Sequence, residues 1–153
     1  MATVREGNQA VLLVVDVQVG VMSQALDAAR VIGNVSCAVE PRIDKHFNPS
    51  FEQTVLDEQL ARLGATHIVL AGAASNGCIR ANAYGALDRG YDLTLVKDAH
   101  TTASMALDDG TRIEAESVVK ELNTAMTWLS DPGRKNGIAA AAEVDFAEPG
   151  NKA

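Results

Sequence analysis

Three side chains that lie far apart in the chain have the types needed to attack a carbonyl group: Cys78, Asp16 and Lys45. Cys78 stands in "AGAASNGCIRANAYGALDRG" (71–90), behind a run of small residues and at the start of a helical pattern. Asn76 is a favourable N-cap there, which puts the thiol in a first turn whose unpaired N–H groups and dipole favour negative charge. A thiol of ordinary pKa, about 8.5, is expected to be lowered in such a place when a cation is near. The same N–H groups can hold an oxyanion when a carbonyl is attacked. A thiolate nucleophile also needs a group that moves protons and a cation that stabilises its charge. Asp16, at the end of an apolar run, is the leading carboxylate, and Lys45, in "RIDKHFNPSFEQT", is the leading cation. Each has a plainer reading: a small buried hydrophobe, a strand-end cap and a solvated surface lysine.

The elements that must position these groups can be read from periodicity. "AVLLVVDV" (10–17) is a Val-rich apolar run of strand length, of the kind found in parallel strands covered on both faces. "HIVLAG" (67–72) and "YDLTLVKDA" (91–99) share that character, and "AAAAEVDF" (139–146) is a candidate last strand. Helical spacing predicts helices over 51–63, stopped by Gly64, over 76–89, ended by Gly90, and over 112–129. Met22, Ala25, Leu26, Ala29 and Ile32 suggest a shorter helix after the first strand. Strands alternating with helices imply right-handed crossovers and an α/β, doubly wound, mostly parallel sheet with helices on both faces, a Rossmann-like three-layer sandwich. Ligands in such sheets bind beyond the carboxyl ends of the strands, where Asp16 and Cys78 fall.

Composition narrows the function classes. The 153 residues suit a single domain, 1–153, with an ordinary globular balance of 47% hydrophobic and 22% charged residues. The longest apolar run is too short to span a bilayer and no secretory leader is apparent, so the expectation is a cytoplasmic protein without membrane partners. A net charge of -7 with scattered basic residues argues against nucleic-acid binding. Cys37 and Cys78 have no metal-ligand spacing, and free thiols are the default. "GAASNG" lacks the glycine pattern of a phosphate-binding loop. The tail "AEPGNKA" (147–153) is expected to fray.

"LLVVDVQ", "RIDKHFNPSFEQTVLDEQL", "HIVLAGAASNGCIRANAYGALDRGYDLTLVKDAHTT" and "AEVDF" together resemble successive segments of the isochorismatase-like cysteine hydrolase family, over most of residues 10–146. The resemblance implies a catalytic triad in which Cys78 is the nucleophile, Asp16 the general acid/base and Lys45 the cation holding both. It further implies a non-proline cis peptide at Ala73-Ala74 and an oxyanion hole from the N–H groups of Ala74 and Cys78. Gln18, Ala73 and Asn76 would support the substrate site. The implied reaction is hydrolysis of a small-molecule amide, or a related C–N or C–O bond, through a covalent Cys78 intermediate, with no organic cofactor. Some relatives, the nicotinamidases, bind a metal through Asp and His; no D-x-H follows Asp16 here, and no metal is expected. His100, in "DAHTT", is expected to bond loop backbone rather than to catalyse.

The chain departs from the family in one place. Only residues 17–44 separate Asp16 from Lys45, short by about one βα unit, or roughly thirty residues. Losing a strand there would leave an apolar sheet edge, which proteins normally cover or pair. "ARVIGNVSCAVEP" (29–41) alternates enough to fill the gap as a strand, and a second subunit could also cover it, so a homo-oligomer is expected. The competing reading is a non-catalytic, oligomeric binding protein that keeps the fold and has lost its pocket.

Overall fold

The computed structural model describes residues 5–35 and 41–146. Four parallel strands form the sheet: β1 (Gln9–Val15), β2 (Ala65–Ala73), β3 (Asp92–Thr101) and β6 (Asn136–Ala139), in the order β1-β2-β3-β6. The helices are α1 (Val19–Met22), α2 (Ala28–Val35), α3 (Leu56–Arg62), α4 (Arg80–Asp88) and α5 (Ala115–Trp128). A π-helical turn, Ser75–Ile79, leads without a break into α4. A small hairpin pairs β4 (Met105–Ala106) with β5 (Arg112–Ile113).

Because spatial strand order follows chain order, right-handed crossovers place α3, α4 and α5 on one face of the sheet. Alternation along β2 and β3 then divides the core. Ile68, Leu70, Leu93 and Leu95 pack with Leu56 and Leu60 of α3, Ala83, Ala86 and Leu87 of α4, and Leu122 and Met126 of α5. On the opposite face Val69, Ala71, Val96 and Ala99 meet Val35 of α2, with Ala141 and Val144 alongside. Helices therefore cover both faces, but among the described residues the second has α2 and a short 3₁₀ turn, Ala141–Glu143. A cavity of about 90 Å³ remains there between Leu12, Val69, Val96 and Val144.

Several expected boundaries shift for identifiable reasons. The helix expected over 51–63 begins only at Leu56: Gln53 takes φ 51°, outside helical space, and the Thr54 hydroxyl accepts the Leu56 N–H at 3.2 Å. The helix expected over 112–129 gives up its first residues to β5. The last strand is Asn136–Ala139 rather than 139–146. Glu143 accepts the Ala140 N–H and Asp98 the Ala141 N–H, at 2.9 and 2.8 Å, so those amides leave the ladder and the chain turns away. Within 29–41, residues 29–35 belong to helix α2, with Val31 and Val35 buried, and not to a strand. The remainder, including Cys37, lies outside the described residues apart from exposed Pro41, as does the 147–153 tail. Among the described residues no strand lies between β1 and β2 in sequence, and β1 is a sheet edge. No described helix is long and apolar enough to cross a membrane.

Candidate active site

Asp16, Ala73 and Ala74 emerge together because β1 and β2 end side by side. Val15 pairs with Gly72 in register, and the two backbones approach so closely that a Cβ on Gly72, which has φ 123°, would lie 2.0 Å from the Val15 carbonyl oxygen. Only glycine fits such an approach at that φ. Asp16 follows at φ 49°, a left-handed conformation that aspartate tolerates better than most residues, and its carbonyl accepts the Gln18 N–H at 2.8 Å. This tight turn swings the Asp16 carboxylate across the end of the sheet. The Ala73-Ala74 peptide bond is cis, as the resemblance implies.

Cys78 sits in the π-helical turn that opens beyond Ala74 and is a free, half-buried thiol. Asn76 does not cap this turn. The turn starts at Ser75 with Ala74 extended before it, so Asn76 lies inside, with no side-chain cap. Its amide instead accepts the Thr102 hydroxyl hydrogen at 2.7 Å and donates to Met105 Sδ at 3.1 Å. The turn is held from below by buried Ser75 and His100, whose Oγ and Nδ1 are 2.8 Å apart. Asn123 donates to the Lys97 carbonyl, which aims its oxygen at His100 Nε2, 3.1 Å away. Nε2 therefore carries the ring proton, Nδ1 accepts from Ser75, and burial lowers the His100 pKa, keeping the ring neutral. His100 thus bonds side chains rather than loop backbone, beneath the turn that carries Cys78.

Lys45 arrives on an irregular segment, 41–55, anchored by Phe51. That ring is buried, stacks on Tyr91 at 6.1 Å between centroids, and lies under the Arg89 guanidinium. The Lys45 ammonium has three hydrogens and three acceptors: Asp16 Oδ2 at 2.7 Å, the Phe47 carbonyl at 3.1 Å and Cys78 Sγ at 3.3 Å. Its side chain is 13% exposed and that of Asp16 17%, so water screens the pair little. Burial acts to lower the Lys45 pKa, but hydrogen bonds to Asp16 and Cys78 outweigh it and the pKa rises, so the side chain stays charged.

The thiol departs from expectation. Burial, and then the hydrogen bond and charge of Asp16, push the Cys78 pKa up, while Lys45 pulls the other way without overcoming them. Ionisation of the thiol is thus disfavoured by its surroundings rather than favoured by the helix terminus. Two groups absent from the sequence reading complete the surroundings. Asn48 Oδ1 lies 3.6 Å from Cys78 Sγ, and the buried Asn82 side chain joins the Cys78 carbonyl to the 48–50 segment. The Asn-Pro pair at 48–49 was the available signal for a turn there. Gln18 is exposed; its carbonyl opens α1 by accepting the Val21 and Met22 N–H groups. Among the described residues no three His, Cys, Asp or Glu side chains converge as metal ligands.

The isochorismatase domain family model matches residues 38–128. YddQ, an isochorismatase family protein of Bacillus subtilis, is 34% identical over 70 residues, which are 46% of this chain and 39% of YddQ. The chain therefore matches well under half the length of that relative. A crystal structure of an isochorismatase from Pseudomonas putida superposes with a TM-score of 0.72 at 20% identity, over 90% of each chain. A cysteine hydrolase from Pseudomonas syringae pv. phaseolicola gives 0.60 at 20% identity, over 68% of this chain and 49% of that one. At these identities the two structures speak for the fold, and the family model, which spans more than half of the sequence, speaks for descent: the chain belongs to the isochorismatase family.

Proposed function

We propose that this chain is a cysteine hydrolase that cleaves a small-molecule amide, or a related C–N or C–O bond, through an acyl intermediate on Cys78. The observation that carries this reading is one ammonium shared between a carboxylate and a thiol from distant parts of the chain, 2.7 Å from Asp16 and 3.3 Å from Cys78. In the first half-reaction Cys78 Sγ bonds to the substrate carbonyl carbon as its proton passes to Asp16. The carbonyl electron pair moves onto oxygen, where the N–H groups of Ala74 and Cys78 receive it. The pair returns, the C–N or C–O bond breaks, and the leaving group takes the proton from Asp16. Water then attacks the thioester and gives a proton to Asp16, which passes to sulfur as the acid departs. Lys45 remains charged throughout and holds both anionic centres.

Ala73 and Asn76 support the turn that presents the thiol, and Gln18 lies at the rim. We take the chain as one hydrolase domain that works as a homo-oligomer, with a second copy along the edge strand β1, in a cytoplasm that keeps the thiol reduced. The competing reading, a binding protein without turnover, draws on the short 17–44 segment. Assay against a panel of small amides separates the two. Turnover that disappears in Cys78→Ser and Asp16→Ala, with folding retained, supports the hydrolase; a stable assembly that turns over nothing in the panel favours binding.

A further inference from the structure

We propose that Asn82 is a positioning residue that sets the Lys45 segment against Cys78. Asparagine is a poor helix former, and a buried amide is costly unless all its hydrogen bonds are made. Yet Asn82 lies in α4, one turn beyond Cys78, and is 1% exposed. Its Nδ2 donates to the Cys78 carbonyl at 2.8 Å and to the Asn48 carbonyl at 3.4 Å, while its Oδ1 accepts the Ser50 N–H at 2.7 Å. One side chain thus joins the backbone of the nucleophile to the backbone of the segment that supplies Lys45, the Phe47 carbonyl that holds the ammonium, and Asn48 beside the sulfur. That segment has no strand or helix pairing over 41–55 to fix it otherwise. Ile43 and Phe51 pack its two sides on the core, and Asn82 ties the stretch between them, beside the sulfur.

The inference rests on the triad reading, and the test separates the two. The protein and its variants are alkylated at Cys78 with anionic iodoacetate and with neutral iodoacetamide, and the ratio of the two second-order rates is taken. The ratio cancels differences in thiol pKa and access, and reports a cation near the sulfur. Lys45→Met should lower it about tenfold, the scale of a local steering charge. Asn82→Ala should lower it in the same direction, and the double variant should match Lys45→Met alone. Asn82→Leu, which keeps side-chain bulk in the helix and removes all three hydrogen bonds, should behave as Asn82→Ala does and serves if the alanine variant does not fold. A wild-type ratio in folded Asn82→Ala or Asn82→Leu, with Lys45→Met lowered, would overturn the positioning role and leave the triad standing. A ratio unmoved by Lys45→Met would overturn the triad and the inference with it.

Discussion

The Lys45 ammonium donates to Asp16 Oδ2 at 2.7 Å and to Cys78 Sγ at 3.3 Å, so one cation faces both a carboxylate and a thiol. Its third hydrogen is held by the Phe47 carbonyl at 3.1 Å. With every donor assigned, the ammonium has one orientation, and a planar guanidinium cannot reproduce it.

Asp16→Asn separates thiol ionisation from turnover. Asp16 raises the Cys78 pKa through both a hydrogen bond and its charge, so its neutralisation should shift the inflection of the alkylation pH profile downward. Hydrolysis should fall by about 100- to 10,000-fold in the same variant, because no group remains to move the proton. Iodoacetamide rates as a function of pH, beside turnover, check both effects.

Lys45→Met leaves the largely buried Asp16 carboxylate without its partner, and breaking such a pair costs about 3–5 kcal/mol. Lys45→Arg should restore the charge but not the activity. In Asp16→Asn/Lys45→Met no charge is stranded, so urea denaturation should show a smaller loss than Lys45→Met alone. Additive losses would contradict the pairing.

The groups that hold the Lys45 segment were the hardest part of the site to read from sequence. Strand runs and the helix stops at Gly64 and Gly90 were legible because they depend on local periodicity and residue type, whereas the grouping of Asp16, Lys45 and Cys78 came from the family resemblance. Asn82 was not, since an asparagine at a helical position looks alike whether it bridges two segments or faces water. The thiol pKa was misread because a helix terminus is visible in sequence, whereas burial and the approach of Asp16 are tertiary. The helix start at Leu56 and the strand at Asn136 were displaced by side chains that capture backbone amides, Thr54, Glu143 and Asp98, which periodicity does not register.

Alkaline pH should weaken the fold through Cys78. Its folded pKa lies above the ordinary thiol value, so the folded state holds the thiol proton more tightly than the unfolded chain does. That contribution is full below the unfolded value and is lost as pH rises through the folded one. Lys45, raised above 10.5, acts in the same direction at higher pH. Thermal midpoints of the wild type and Cys78→Ala should therefore converge or cross as pH rises past about 9, with the wild type losing more.

Gly72→Ala should destabilise the protein by at least the ~1–3 kcal/mol of a strained backbone position, because its Cβ would meet the Val15 carbonyl oxygen at 2.0 Å. The same change should separate Asp16 from Ala73 and lower turnover in the folded fraction. Differential scanning calorimetry with a turnover assay measures both.

The edge strand β1 predicts self-association. Light scattering should give a mass above that of one 16.1 kDa chain at micromolar concentration. A strictly monomeric mass would count against the second copy.

The central claim is that Cys78 attacks a carbonyl with Asp16 and Lys45 beside it. The most direct measurement is labelling of the intact protein with a thiol-reactive amide mimic, followed by peptide mass spectrometry to locate the adduct. The account predicts a single adduct on Cys78, formed faster than in urea-unfolded protein and suppressed in Lys45→Met. An adduct on Cys37, or labelling of Cys78 no faster than in the unfolded chain, would contradict it.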